Sequence, residues 1–315
     1  MPSPNPEITL RPDGRNRDAD PPPPAVKQAL ERQGVIQASA IWQPLRGGRT
    51  NRLWYVTTDE TAVVVKLYNR DAATPLFAND PVAEAAVLSA VSGSALSPVA
   101  IFSGYTQSGP VLVYRYINGK PWRRDTAMAA KVLKNLHSTV VPSGLQSLPH
   151  APDGSFALKS QTLAILDQIP PVDAARVRAF EPACDVPPSG QSRLLHGDPV
   201  PDNIVCTQVE AAMEVVLIDW QCPKLGDPLL DLSLFLSPAM QVLARGQPLT
   251  LEELQEFIEA YDDPPTTQRL LALQPVLHWR MASYCLWKIT RSTPDLAYAK
   301  ALEAEISALT ALTTR

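Results

Sequence analysis

Apolar residues follow two different spacings along the chain, and the change comes near residue 119. Before it, short apolar runs bounded by turn residues predict strands at residues 52–57, 61–68, 99–104 and 110–114. After it, a spacing close to 3.6 residues dominates and predicts helices at 126–140, 160–168, 251–261, 274–290 and 295–312. The pattern indicates an α+β protein with a small sheet first and a larger, mostly helical region second.

Local signals define the ends of some elements and the limits of the domains. Asp80 followed by Pro81 predicts the start of a helix that runs to residue 91, and Thr250 with Glu253 forms a capping box. Residues 1–24 are rich in proline and predict a disordered tail. A first lobe is expected over 25–119 and a second over 120–315, and the segment 170–190 is left unassigned.

The main chemical signal is a polar loop between short apolar runs. Asp198 and Asn203 lie in this loop, and Asp219 ends the apolar run 215–218. Magnesium prefers oxygen ligands and takes one or two protein carboxylates together with substrate phosphates. Phosphotransferases need such ligands and one further acid that orients a hydroxyl. The three residues supply this set and point to a kinase.

A hairpin near the start of the chain offers a nucleotide-covering element. A glycine-containing turn precedes the first strand and comprises Gly47, Gly48, Arg49, Thr50 and Asn51. Glycines let backbone N–H groups approach a phosphate closely, although the pair alone is also an ordinary turn. Lys66 lies in the apolar, β-branched run of the next strand, where kinases carry the lysine that contacts the α- and β-phosphates. A charge on an edge strand is the other interpretation of this lysine.

The residues His196, Gly197, Asp198 and Asn203, followed by Ile218-Asp219-Trp220, resemble the signatures of the aminoglycoside phosphotransferase and choline kinase family. The resemblance implies a two-lobed, protein-kinase-like fold and transfer of a phosphate from ATP with Mg²⁺. It implies Asp198 as the catalytic base and Asn203 and Asp219 as magnesium ligands.

The same resemblance assigns the nucleotide side. It implies that Glu84 pairs with Lys66, that the glycine-containing turn covers the phosphates, and that the lobe connection around Tyr114 and Tyr116 meets the adenine. Both tyrosines are equally explained as core aromatics.

The acceptor is predicted less directly. The Gly-Gly turn resembles the start of choline and thiamine kinase relatives, which favours an amino alcohol of the choline, ethanolamine or thiamine type. Trp279, Tyr284 and Trp287 form an aromatic surface that could hold a quaternary ammonium group, or could be the buried face of a packed helix. An acidic series over 252–263 leaves an aminoglycoside as the alternative acceptor, and a solvated helix face explains that series as well.

Composition excludes some other classes of function. The chain has 315 residues, and 28 lysines and arginines against 32 aspartates and glutamates give a formal charge of −4. There is no basic footprint for nucleic acid and no apolar run of membrane-spanning length. The first residues have no export signal pattern, so a cytoplasmic protein is expected. A catalytically silent nucleotide-binding scaffold is the rival from another class. A protein kinase is disfavoured because few residues separate Asp219 from Gly226.

Overall fold

The computed structural model describes residues 20–45, 50–58, 61–92, 94, 96–209, 212–291 and 293–313. By their internal contacts, the residues form two compact units. The first unit comprises Met1–Ala73 and Ala100–Tyr116, and the second comprises Thr74–Val99 and Ile117–Arg315. The segment between the third and fourth strands therefore packs within the larger unit. The lobe limits predicted at residues 24 and 119 stay a prediction.

The smaller unit is a five-stranded antiparallel sheet with one helix. The helix is α1 (Pro24–Arg32), and the strands are β1 (Ile41–Pro44), β2 (Arg52–Thr57), β3 (Ala62–Leu67), β4 (Ala100–Thr106) and β5 (Gly109–Arg115). The strand order β1-β2-β3-β5-β4 puts β3 in the middle of the sheet. Its side chains from Val63 to Leu67 are all buried, which explains why its sequence is apolar on both faces apart from Lys66.

The larger unit is mostly helical. Its helices are α2 (Pro81–Ala90), α3 (Thr126–Ser138), α4 (Gly154–Leu166), α5 (Pro171–Arg178), α6 (Leu229–Leu236), α7 (Pro238–Arg245), α8 (Leu251–Tyr261), α9 (Pro264–Ile289) and α10 (Ala297–Thr313). The central helix α9 packs against α4, α6 and α10. Its buried aromatic residues join apolar residues of α5 and α10 in one core.

Two small sheets in this unit frame the predicted loop. The strands β7 (Arg193–Leu195) and β10 (Lys224–Gly226) pair antiparallel, and β6 (Gly119–Pro121), β8 (Ile204–Val209) and β9 (Ala212–Leu217) form the other sheet. The loop leaves β7 and enters β8, and a short 3₁₀ turn at Pro201–Asn203 precedes β8. The loop is therefore anchored at both ends by paired strands.

The local signals in the sequence are confirmed, whereas some helix limits are not. The Asp80 side chain accepts the N–H groups of Val82 and Ala83, and both hydrogen bonds of the Thr250–Glu253 capping box are present. Helix α9 begins ten residues before the predicted start at residue 274 and continues through Pro275. Helix α4 likewise begins at Gly154, six residues before its predicted start. Within the part of the chain that the structure describes, none of the helices combines the length and hydropathy needed to cross a bilayer.

Candidate active site

The loop between β7 and β8 is anchored by hydrogen bonds to Asp231, which lies in the first turn of α6. Its carboxylate accepts the backbone N–H of His196 at 2.7 Å and that of Gly197 at 2.9 Å. The side chain is fully buried. Since each N–H is bound by a separate carboxylate oxygen, the loop has a defined position relative to α6.

A second layer of polar residues supports Asp231. His137 on α3 contacts its carboxylate through Nε2 at 3.1 Å, and Tyr261 contacts His137 Nδ1 at 2.9 Å. Burial alone would raise the pKa of Asp231, yet the hydrogen bonds from His137 and the N–H of Gly197 lower it below its ordinary value. Asp231 is therefore an ionised anchor.

His196 uses both ring nitrogens to shape the loop. Its Nε2 donates to the carbonyl of Ile218 at 3.0 Å, and its Nδ1 accepts the N–H of Asp198 at 3.2 Å. The ring packs against Trp220 with 4.5 Å between centroids, and the side chain is fully buried. These contacts leave no ring nitrogen for proton transfer with a substrate, so His196 is a positioning residue.

Gly197 is required where the loop passes the segment after β9. Its φ is +81°, a value in the left-handed region that favours glycine. A Cβ at this position would lie 2.0 Å from the carbonyl oxygen of Cys222. The close approach brings the loop next to the chain that carries Asp219.

Asn203 is tied to the predicted base. Its Nδ2 donates to the backbone carbonyl of Asp198 at 2.9 Å and to Asp198 Oδ2 at 3.3 Å. The side chain of Asp198 is half-buried and that of Asn203 is buried. With its nitrogen committed to Asp198, Asn203 keeps its carboxamide oxygen for another partner.

Asp219 lies beside Asn203 because of the backbone pairing. The N–H of Ile218 donates to the carbonyl of Asn203 at 2.9 Å, which extends the β8–β9 ladder by one bond. Asp219 itself has φ +62°, a strained conformation for a residue other than glycine. Such strain at the end of a strand is frequent at functional sites.

The carboxylates act on one another electrostatically. Burial, and next the charges of Asp219 and Asp231, raise the pKa of Asp198 well above its ordinary range. The structure thus brings the three predicted residues together and concentrates negative charge around Asp198. A divalent cation would relieve that charge.

The predicted nucleotide residues are described in part. Lys66 in β3 is buried, and its Nζ lies 5.0 Å from the centroid of the Tyr68 ring. The side chain of Asn51 is also buried and accepts the N–H of Asn69 at 3.0 Å, next to half-buried Thr50. Gly47, Gly48 and Arg49 lie outside the described residues.

The other three nucleotide candidates are also buried or half-buried. Glu84 is buried in the first turn of α2, in the larger unit. Tyr114 is buried in β5, and the N–H of Tyr116 donates to Ala62 at 3.0 Å. The Tyr116 ring packs on Tyr55 at 4.7 Å.

The three aromatic candidates for the acceptor lie in the core of the helices. Trp279 is fully buried, and its indole N–H donates to the carbonyl of Val177 at 2.8 Å. Trp287 donates to Gln168 at 3.1 Å, and Tyr284 packs between Phe77 and Tyr298. Their positions fit the interpretation as a packed helix face, the alternative left open by the sequence.

Sequence reasoning missed two cations close to the loop. Lys224 in β10 faces Leu195 in the ladder, and Arg280 on α9 is buried. The two residues line one cavity together with Gly197. A charged residue within an aromatic, apolar helix was the available signal for Arg280.

Solved structures share the fold over most of the chain. An ethanolamine kinase from Plasmodium vivax matches with a TM-score of 0.62 at 14% identity, covering 90% of this chain and 87% of that one. Choline kinase LicA from Streptococcus pneumoniae matches with 0.62 at 16%, covering 91% and 98%. A spectinomycin phosphotransferase in complex with ADP and spectinomycin matches with 0.58 at 17%, covering 91% and 97%. These likenesses confirm the kinase-like α+β fold predicted from the sequence.

Sequence comparison assigns the family. No curated protein matches the chain. The model of the phosphotransferase enzyme family matches residues 41–273, which is most of the chain and includes both Lys66 and the loop with Asp198. The chain therefore belongs to the phosphotransferase enzyme family and has the fold of its small-molecule kinases.

Proposed function

We propose that this protein transfers the γ-phosphate of ATP to a hydroxyl group of a small molecule, with Asp198 as the catalytic base. The observation that carries the proposal is the convergence of Asp198, Asn203 and Asp219 at the junction of the loop with β8 and β9. A scaffold that only binds nucleotide has no need of a separate, anchored base. The family membership supports the same reaction.

Asp198 accepts the proton of the acceptor hydroxyl in this proposal. The amide of Asn203 orients its carboxylate, and the ring of His196 fixes its backbone N–H. A base that is already oriented gains rate because little reorganisation is needed when the hydroxyl attacks. The anchor at Asp231 and the close packing at Gly197 serve the same positioning.

Asn203 and Asp219 fit a hard cation such as Mg²⁺. The carboxamide oxygen of Asn203 receives no hydrogen bond from the described residues, and Asp219 follows Ile218, whose N–H pairs with the carbonyl of Asn203. Mg²⁺ takes one or two protein ligands and completes its coordination with phosphates and water, so Asn203 and Asp219 supply a sufficient number of protein oxygens. When bound, such an ion neutralises the charge of the transferring phosphate.

Most residues proposed to bind the nucleotide lie in the smaller unit. Lys66 is a buried cation on a central strand, and a buried ammonium is suited to phosphate oxygens. We propose that Thr50 and Asn51, with the preceding residues 47–49, also cover the phosphates. We propose that the chain at Tyr114 and Tyr116 contacts the adenine. The pairing of Glu84, in the larger unit, with Lys66 stays a prediction. The ADP in the similar spectinomycin phosphotransferase supports an adenine nucleotide.

The acceptor predicted from the sequence is an amino alcohol of the choline, ethanolamine or thiamine type. The similar ethanolamine and choline kinases support it, and the spectinomycin phosphotransferase supports the aminoglycoside alternative. Trp279, Tyr284 and Trp287 give little support to an ammonium cage, because they are buried.

The test uses two aspartates of one loop. ADP release is measured with choline, ethanolamine, thiamine, homoserine and aminoglycosides, and Mg–ATP binding is measured by calorimetry. Asp198→Asn should lower turnover by about 10³-fold and leave ATP affinity nearly unchanged, because a general base acts in the transition state. Asp202→Asn is the control, since Asp202 is exposed and its one side-chain hydrogen bond among the described residues is with Arg123. Full turnover in Asp198→Asn refutes the role. Silence with intact ATP binding favours the scaffold when it extends across this panel and across two anionic acceptors, 4-hydroxybutanoate and glycerol 3-phosphate.

A further inference from the structure

A small cavity lies beside the catalytic loop in the larger unit. Its volume is about 20 Å³, which is room for the end of a ligand and not for a whole one. It is lined by Leu76, Phe77, Gly197, Lys224, Asp231 and Arg280, together with apolar residues of α6, β7 and the segment before α4. The charged members of this lining decide what the cavity can accept.

Arg280 is a buried cation with no carboxylate partner among the residues that the structure describes. Only 6% of the residue is exposed, and its Nε donates to Gln161 at 2.8 Å. Among the described residues, nothing accepts a hydrogen bond from its two terminal nitrogens and no acid forms an ion pair with it. Burial lowers the pKa of Arg280 to about 10, so the group remains charged at neutral pH. Buried charges are normally paired, so this one needs a partner.

Lys224 adds a second cation to the same lining. Its Nζ donates to the carbonyl of Leu76 at 3.1 Å, and it forms no ion pair within the described ranges. Burial, and next the positive charge of Arg280, lower the pKa of Lys224 below its ordinary value. Two cations that repel each other in one cavity create a site for an anion.

The nearby carboxylates do not serve as the anionic partner of these two cations. Asp231 lines the cavity, but its oxygens accept hydrogen bonds from His196, Gly197 and His137. The charges of Asp231 and Asp198 raise the pKa of Lys224, whereas burial is the cause that lowers the pKa of Arg280. Carboxylates of the protein therefore offset part of the charge of Lys224. The charge of Arg280 has no ion pair among the described residues.

The cavity is close to the predicted point of transfer. Gly197 lines it and directly precedes Asp198, and Lys224 pairs with Leu195 across the β7–β10 ladder. An anionic group held in the cavity would leave the adjoining part of the same molecule beside the catalytic base.

We propose that the acceptor carries an anionic group, a carboxylate or a phosphate, which Arg280 and Lys224 bind while its hydroxyl meets Asp198. The proposal rests on the phosphotransferase function proposed above and replaces the purely cationic amino alcohol with an acceptor of opposite charge. Arg280 supplies two donors on a planar group, a geometry suited to a carboxylate or phosphate. Lys224 adds an ammonium donor.

Binding to the protein saturated with Mg–ADP tests this without requiring turnover. Calorimetry compares 4-hydroxybutanoate with 4-amino-1-butanol, a pair of the same chain length and opposite charge, and glycerol 3-phosphate with glycerol. The hydroxy acid or the phosphate should bind at least about tenfold more tightly than its partner, because charge-assisted hydrogen bonds discriminate by that order. The pair that shows this preference identifies the anionic group as a carboxylate or as a phosphate. Equal binding within both pairs, or preference for the amine, overturns the proposal.

Variants locate the anion. Arg280→Gln and Lys224→Gln should each weaken anion binding about tenfold, and Arg280→Lys should keep part of it. Arg176→Gln is the control, because Arg176 is exposed and paired with Glu303. Because Arg280 is buried, its variant could unfold, and Lys224→Gln and Arg280→Lys then decide. Anion binding unchanged in Lys224→Gln and in every folded Arg280 variant overturns the proposal.

The outcomes separate this proposal from the function on which it rests. ADP release stimulated by ethanolamine without anion binding leaves the phosphotransferase standing and removes the anionic acceptor. Anion binding that depends on Arg280 and Lys224, without ADP release from ATP in the presence of any acceptor tested, supports the anion site and removes the phosphotransferase.

Discussion

The carboxylate of Asp231 accepts the backbone N–H of Gly197 at 2.9 Å, and this bond ties the first turn of α6 to the residue before Asp198. The other oxygen of the same group accepts the N–H of His196. These two bonds fix the backbone of the loop to a buried residue of the helical core. Variants can therefore test two effects of this anchor: its contribution to the stability of the fold and its placement of the catalytic base.

Replacing Asp231 by Asn should destabilise the protein. The amide has one acceptor oxygen where the carboxylate has two, and the site is fully buried, so at least one of the three donors loses its partner. We expect a loss of about 3 kcal/mol in the free energy of unfolding, since charge-assisted hydrogen bonds at buried sites are worth this order. Urea denaturation measures it. Asp173→Asn, at an exposed position of α5, is the control, and equal stability of the two variants would contradict the anchor.

The lowered pKa of Asp231 predicts a dependence of stability on acid. A group with a lowered folded pKa contributes stability above its unfolded pKa, and this contribution is lost as pH falls through the folded value. The unfolded value is about 3.9. The free-energy difference between wild type and Asp231→Asn should therefore be constant above roughly pH 5 and shrink at lower pH. A difference that stays constant down to pH 2 would be evidence against an ionised Asp231.

Gly197→Ala should damage catalysis more than a comparable glycine elsewhere. The added Cβ would lie 2.0 Å from the carbonyl oxygen of Cys222, so the loop has to move away from the chain that carries Asp219. A displacement of about 1 Å at a reacting group can cost 100-fold in rate. Turnover in the ADP-release assay measures the loss.

Gly190→Ala provides the matched control. Gly190 also has a left-handed φ, +69°, but an added Cβ would meet nothing within 4 Å. The control therefore contains the backbone strain, about 1 kcal/mol, without the collision. Equal turnover in the two variants would show that the contact with Cys222 does not position the base.

Local signals in the sequence were sufficient for several elements. The capping box of Thr250 and Glu253 gave the start of α8, and both of its hydrogen bonds are present. The start of α9 was predicted wrongly at residue 274, because the helix continues through Pro275 once tertiary contacts hold it. A better signal was present at Asp263, whose side chain caps the helix just before Pro264 and Pro265.

The candidate site also contains residues that could be predicted from the sequence and residues that could not. Asp198, Asn203 and Asp219 could be found because they are close in sequence and lie between strands that pair with their neighbours. The cavity with Lys224 and Arg280 could not be found from the sequence, because a strand and a distant helix meet there only in the folded chain. For Trp279 the helical spacing predicts a shared face with Trp287, but only tertiary structure shows that α5 covers it.

Trp279→Phe distinguishes a core residue from an acceptor contact. The substitution removes the hydrogen bond to the carbonyl of Val177 and leaves part of a fully buried volume empty. We expect a loss of about 2 kcal/mol in the free energy of unfolding, from the unpaired carbonyl and the cavity together. The KM for the acceptor that stimulates ADP release should stay within about twofold, because a lost core contact is not a lost substrate contact. A tenfold rise in this KM with unchanged stability would instead make Trp279 part of the acceptor site.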